Sequence, residues 1–231
     1  MSARSDTQGA GRPLAPQQST PAMLGDQVYS ALVEQIVRLD LLPGAKLSEG
    51  ELAAQLGVGL SPVRAALRRL ESEKLVVIVP RSGTMVQPIN LRMSRSILEA
   101  RLPLEDLAAR LAVQRGTKKE KEQLLEIAVK QRDSERLQDK LDLDVLFHSS
   151  VYELTRNEFL IPTLRMYLNH SLRLWHYVSR ILESENWTTV DSVTMAQAML
   201  DGDEETAAAQ LTEHVGHDGQ EIITLLGEHG L

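Results

Sequence analysis

The chain has 231 residues, a 42% hydrophobic fraction, no cysteine and a net charge of −7. Its length suits one large domain or two small ones, and its apolar content excludes a wholly disordered chain. The missing thiols exclude a disulfide framework and a thiolate metal site and fit the reducing cytoplasm, while the longest purely apolar run, Leu75 to Val79, is far too short to cross a bilayer.

Residues 1–22 are rich in Gly, Pro, Ser and Gln and lack the apolar stretch of a secretory signal; they read as a disordered tail. Residues 23–88 read as a first domain. Between Gly25 and Asp40, Val28, Leu32, Ile36 and Val37 recur at helical spacing, and "LLPGAKL" then supplies a Pro-Gly turn. In "SEGELAAQLG", Ser48 and Glu51 are spaced as a capping box and Gly57 ends a short helix. "SPVRAALRRLESEK" predicts the next helix, with Ser61 as N-cap and Pro62 at the first helical position, where its missing N–H costs nothing. Val63, Ala66, Leu67 and Leu70 share one side of it, and Ser61, Arg64 and Arg68 the other. "LVVIV", "PRSG" and "TMVQP" predict strand, turn and strand.

Two short helices, a tight turn, a basic outer face and a hairpin describe a winged helix-turn-helix. The N-terminal part of a recognition helix reaches base edges in the major groove, where arginine pairs bidentately with guanine, so Arg64 is the first candidate. Arg81 at the wing tip suits a minor groove or a phosphate. Charge supports the division: residues 1–90 balance at +1, whereas residues 91–231 stand at −8, which predicts two parts with different partners.

From Pro43 to Val86 this pattern resembles the DNA-binding domain of GntR-type bacterial transcriptional regulators. The resemblance implies DNA contact by Arg64, by the turn before it, and by the wing at Ser82 and Gly83. Gly59-Leu60 stands where such chains usually carry Ser-Arg, and Gly50 where an arginine is frequent. Arg64, Arg68 and Arg81 would therefore carry more of the binding, or the operator differs.

Residues 89–231 read as a second domain, entered through "PINLRMSR" as a hinge. No strand-like alternation of any length follows. About six helices joined by short turns predict an antiparallel all-α bundle, so the fold class is mainly α with a small β-hairpin wing. No phosphate-binding glycine loop, nucleophile elbow or paired di-iron glutamates occur, and nothing favours an enzyme.

From about Ser94 to His217, "EARLPLEDLAARLA", "DVLFHSSVYELTRNEFL" and "AMLDGDEETAAAQLTEH", in that order, resemble the FCD ligand-binding domain of the FadR-like branch of GntR regulators. The resemblance implies a divalent metal held by one Asp and three His, with a small organic acid beside it. Asp144, His148 and His214 match three of those ligands, and Ser192 stands where the fourth is expected; its neighbour Asp191 could replace it only if the helix shifts. Three protein ligands plus water suit Zn²⁺ or Ni²⁺. The alternative for Asp144 and His148 is an i,i+4 surface pair. His148 and His214 flank apolar stripes, whereas His217 projects outward. Arg101 and Arg173 are candidate clamps for a carboxylate effector, with pairing of Arg101 to Glu105 as the structural alternative; Tyr152 is a pocket or core aromatic, and Ser192 is a further candidate for the effector pocket.

These features predict a ligand-responsive transcription factor in the cytoplasm, acting as a repressor and a homodimer on a palindromic operator. Two alternatives stand beside it. One is a metal-dependent enzyme using Asp144, His148 and His214; the other is an architectural DNA binder with a vestigial sensor.

Overall fold

The computed structural model describes residues 21–79, 81, 83–181 and 192–231. In the N-terminal part, α1 (Pro21–Val37) precedes the short strand β1 (Lys46–Leu47), and α2 (Glu49–Leu56) and α3 (Leu60–Ser72) follow. Strands β2 (Val76–Val79) and β3 (Gly83–Val86) close an antiparallel sheet of order β1-β3-β2. Val28, Leu32 and Ile36 of α1 meet Leu52, Val63, Leu67 and Leu70 in one buried cluster, the apolar faces that the 3.6-residue period assigns.

Helix ends follow local chemistry. The Ser48 side chain accepts from the Glu51 N–H at the start of α2, and Gly57 ends it at φ +65°, a left-handed turn that glycine adopts without a Cβ penalty. At α3 the expectation is corrected by one turn position. The helix starts at Leu60 on a Gly59 N-cap without a side-chain bond, so Ser61 lies inside the first turn and Arg64 is the fifth residue. Extended backbone at Gly59, at φ −76° and ψ 170°, supplies the non-helical cap geometry instead.

Beyond residue 87, six helices follow among the described residues: α4 (Leu91–Arg115), α5 (Lys118–Asp133), α6 (Leu137–Leu154), α7 (Leu160–Ile181), α8 (Ser192–Asp201) and α9 (Glu204–Glu228). The expected hinge is shorter than its sequence suggests, because Asn90 caps α4 by accepting from the Met93 N–H at 2.9 Å. A full capping box of Thr117 and Glu120 opens α5. Small residues of α4, Ala108, Ala109 and Ala112, are fully buried in a cluster with Phe147, Tyr152, Met199 and Leu211. Gly219 permits the closest approach of α9 to α4: a Cβ there would lie 2.5 Å from Leu98 Cδ1. Each fully buried large apolar side chain contributes about 1.5–3 kcal/mol, so this interior is the main source of stability.

A third cluster gathers Ile89, Ile97, Trp175, Val178 and Ile222 where the bundle meets the connecting residues. Here α7 reaches the N-terminal part. His170 Nε2 lies 2.7 Å from the Glu73 carbonyl oxygen, Arg173 donates to the Gln87 carbonyl, and Arg180 donates to the Arg38 carbonyl.

Candidate functional site

Asp144 and His148 stand one turn apart on α6, and α9 brings His214 against them. The two imidazole rings stack with centroids 5.3 Å apart. His214 Nε2 is 3.4 Å from Asp144 Oδ1, and His148 Nε2 is 3.8 Å from Asp144 Oδ2. Ligand atoms at about 2.0–2.2 Å from one zinc lie about 3.4 Å from each other; the His214–Asp144 pair has that spacing, and the three donor atoms lie within 4.8 Å of one another. Both histidines are buried, which sets aside the surface-pair alternative for Asp144 and His148.

The outer nitrogen of His148 faces a carboxylate beyond hydrogen-bond distance: its Nδ1 lies 3.9 Å from Glu105 Oε2, and neither atom has a hydrogen-bond partner among the described residues. Glu105 is itself fixed: Oε1 accepts from Arg101 Nε at 2.7 Å and from the Tyr152 hydroxyl at 2.5 Å. Arg101 also donates to the Tyr152 oxygen at 3.2 Å and to Ser171 Oγ at 2.9 Å. The guanidinium is thus paired with Glu105 as well as turned toward the cavity.

Charge in the cluster is strongly tuned. Burial disfavours ionised Asp144, but His148, His214 and the Gln131 amide outweigh it and hold the carboxyl well below its ordinary range. Burial pushes His148 down to about 4. Burial acts the same way on His214, yet the Asp144 hydrogen bond, with the Asp144 and Asp218 charges, outweighs it and raises that imidazole. Burial raises Asp218. The set therefore favours a deprotonated His148 beside ionised Asp144, the forms that bind cations.

A cavity of about 40 Å³ opens beside the cluster, lined in part by Arg101, Asp144, His148, Ser171, His214 and Asp218. Three expected pocket residues, Tyr152, Arg173 and Ser192, do not line it; Tyr152 lies behind it, bonded to Glu105 and Arg101. Arg173 is buried on the other side of α7, held by the Gln87 carbonyl, and burial lowers it to about 10. Ser192 donates to Gln131 Oε1 at 2.8 Å, and Gln131 Nε2 donates to Asp144 Oδ1 at 3.0 Å. The serine thus positions Asp144 through an amide instead of facing the cluster. Asp191 lies outside the described residues. Sequence reasoning missed Gln131, Ser171 and Asp218; only Asp218 carried a signal, standing four residues after His214 as His148 stands four after Asp144.

In the N-terminal part, Ser61, Arg64 and Arg68 are exposed on α3. Arg64 Nε pairs with Glu49 at 2.7 Å, whereas Arg68 and Arg81 pair with no carboxylate among the described residues. Arg69 is turned away from that face: it lies 3.5 Å over the Tyr29 ring and pairs with Asp26 and Glu73. Arg81 and Gly83 shape the wing at φ +65° and +93°. Ser82 lies outside the described residues.

Residues 24–86 match the model of the bacterial regulatory proteins of the gntR family, and residues 96–217 match the FCD domain. The chain belongs to the gntR family, with an FCD domain. The Nta operon transcriptional regulator of Aminobacter aminovorans is 30% identical over 189 residues, covering 80% of this chain and 87% of that protein. The solved structure of Escherichia coli McbR/YncC has a TM-score of 0.72 at 25% identity, covering 90% of this chain and 99% of that one. A putative GntR regulator from Rhodococcus sp. RHA1, at 20% identity and a TM-score of 0.67, shares the fold; the match covers 87% of this chain and 97% of that one. This gntR-family member is a DNA-binding transcriptional regulator and not an enzyme. No helix among the described residues is long and apolar enough to cross a membrane.

Proposed function

We propose that this regulator is an effector-responsive repressor that works as a homodimer on a palindromic operator in the cytoplasm. Residues 23–88 read DNA, and residues 89–231 sense a small organic acid beside a divalent cation, zinc or nickel, and mediate dimerisation. On the reading face, Arg64 recognises a base edge, Ser61 and Arg68 contact the backbone near it, and Arg81 with Ser82 and Gly83 carries the wing contact.

One observation carries the responsive part of this reading: consecutive residues of α7 serve opposite parts of the chain. Ser171 lines the cavity and accepts from Arg101 at 2.9 Å, while His170 meets the Glu73 carbonyl, at the end of α3, at 2.7 Å. A ligand that prefers one placement of α7 thereby biases the end of the recognition helix, which is linkage between two sites.

Electrostatics supports a cation held by Asp144, His148 and His214. Asp144 and Asp218 line the cavity, and Glu105 behind His148 offsets Arg101, the permanent cation in the lining. A carboxylate entering alone would meet an excess of negative charge; a bound divalent ion supplies the positive centre it needs. Size narrows the effector class. A cavity of about 40 Å³ holds about three waters, so a two- or three-carbon acid suits it and a long-chain acid does not.

The test uses the full chain and a genomic fragment selected on it, followed by fluorescence anisotropy. Acetate, lactate, pyruvate and citrate are titrated with and without Zn²⁺. Release of DNA by a small acid, dependent on Zn²⁺, is the expected outcome. Unchanged DNA affinity with every acid at millimolar concentration would overturn the responsive reading and leave DNA binding standing.

A further inference from the structure

Two helices present the same spacing in mirror order: Asp144 then His148 on α6, and His214 then Asp218 on α9. Asp144, His148 and His214 already form a cluster of donor atoms within 4.8 Å of one another. Asp218 lies beside it, next to His214 and outside that 4.8 Å set. Its Oδ2 is 3.9 Å from His214 Nε2, nearly the 3.8 Å that separates His148 Nε2 from Asp144 Oδ2. The other oxygen, Oδ1, faces His217 Nδ1 at 3.5 Å, which turns Oδ2 inward. Asp218 lines the same cavity as the three other residues, and four-fifths of its side chain is buried.

We infer that Asp218 takes the coordination position that a fourth imidazole would otherwise fill, giving this chain a site of two carboxylates and two imidazoles. The inference rests on the metal-binding reading of Asp144, His148 and His214. Position 192 does not compete for the role, because the Ser192 hydroxyl is spent on Gln131 Oε1 at 2.8 Å and reaches Asp144 only through that amide. His148 and His214 turn their Nε2 atoms toward the carboxylates, and an imidazole offers one nitrogen at a time to an ion, so neither ring supplies a further donor.

The exchange of an imidazole for a carboxylate changes which ions the site favours. Imidazole suits zinc, nickel and copper, whereas carboxylate oxygen suits manganese and magnesium. A second carboxylate supplies a further oxygen donor, and the remaining coordination positions stay open to water or to one oxygen of an acid. The wild-type site therefore binds Mn²⁺ better, relative to Zn²⁺, than a site carrying Ser192→His together with Asp218→Asn.

The experiment is calorimetric titration of the chelator-stripped full chain with ZnCl₂ and with MnCl₂. Wild type is expected to bind one ion per chain. Asp218→Asn is expected to weaken both ions by about 10-fold or more, with the larger loss for Mn²⁺, while Glu213→Gln, an exposed carboxylate on the same helix, leaves both unchanged. The double variant Ser192→His/Asp218→Asn should regain Zn²⁺ affinity and not Mn²⁺ affinity. Wild-type affinity in Asp218→Asn overturns the role of Asp218 and leaves the three-residue site intact, which Asp144→Asn then tests by losing the ion. Failure of wild type to bind either ion overturns both. X-ray absorption of the wild-type zinc complex asks the same question without a variant: two imidazoles are expected, and three overturn the assignment.

Discussion

His170 on α7 and Glu73 at the end of α3 meet through one contact, a 2.7 Å approach of ring Nε2 to a backbone carbonyl oxygen. Burial pushes this imidazole down to about 4, against the opposing pull of that hydrogen bond, so at neutral pH the ring is uncharged and its Nε2–H donates. His170→Leu keeps apolar bulk but leaves the carbonyl unpaired, at a cost of about 1–3 kcal/mol. The variant should bind operator DNA normally and release it less completely on adding Zn²⁺ and acid. Anisotropy in the two states measures this, and an unaltered release would remove His170 from the coupling.

Acid should destabilise the regulator well before its carboxylates protonate. His148 and His170 have folded values of about 4, and His176 is also lowered by burial. An unfolded imidazole titrates near 6.5, so between about 6.5 and 4 the unfolded chain binds more protons and stability falls as pH falls. Each such group contributes up to about 1.4 kcal/mol per pH unit. His214 works the other way, since its folded value is raised and its contribution is greatest below the unfolded value. Three lowered groups against one raised group give a net loss. The melting temperature of the chelator-stripped chain should drop steadily from pH 7 to pH 4.5; a flat profile would contradict these burials.

Arg64 enters DNA recognition from an existing ion pair. Its Nε holds Glu49 at 2.7 Å, with the two side chains 54% and 39% exposed. Such an exposed pair contributes little to stability, so breaking it for DNA costs little. Arg64→Ala should lose about 1–3 kcal/mol of operator affinity, roughly 10- to 100-fold, and relax the preference at one base position. Glu49→Gln should bind as well as wild type or better. Arg68→Ala and Arg81→Ala should weaken all sequences alike and each lower the salt slope by about 1. Competition against operators mutated base by base separates these outcomes.

Glu105 is the acid on which Arg101 depends. Both are buried, and the 2.7 Å pair is backed by the Tyr152 hydroxyl at 2.5 Å. Glu105→Ala strands a guanidinium in the interior, an expected cost of about 3–5 kcal/mol. Tyr152→Phe removes two hydrogen bonds, one donated to Glu105 and one accepted from Arg101, and should cost about 1–3 kcal/mol. Urea unfolding followed by circular dichroism would rank the two, and equal losses would show that the network does not depend on the ion pair.

The elements with local signals were legible in the sequence. Ser48 and Gly57 bounded their helix as cap chemistry requires, and the number of helices beyond residue 87 followed from apolar period and turn spacing. Strand β1 was not legible, because two residues carry no alternation and exist as a strand only by pairing Lys46 with Met85 and Leu47 with Thr84. The start of α3 shifted because Gly59 provides cap backbone geometry without a cap side chain. In the site, the one-turn spacing of Asp144 and His148 was legible in the residues themselves, whereas His214 was joined to them only through the resemblance to the FCD pattern. Gln131 was not, since its bridge to Ser192 spans 61 residues and depends on α5 lying beside α8. Arg173 resembled a ligand clamp only while the direction of its helix face was unknown; its burial against the Gln87 carbonyl is a tertiary fact.

Among the described residues, His170, Arg173 and Arg180 of α7 each bond a main-chain oxygen of the N-terminal part, those of Glu73, Gln87 and Arg38. A carbonyl is present whatever side chain its residue bears. Substitutions that rewrite the DNA-reading face therefore leave these three attachments unchanged, and the choice of operator is separable from the response to a ligand. Under the proposed function, the regulator is modular at the level of single hydrogen bonds: changes on α3 and the wing would redirect the operator without touching the contacts that carry the response.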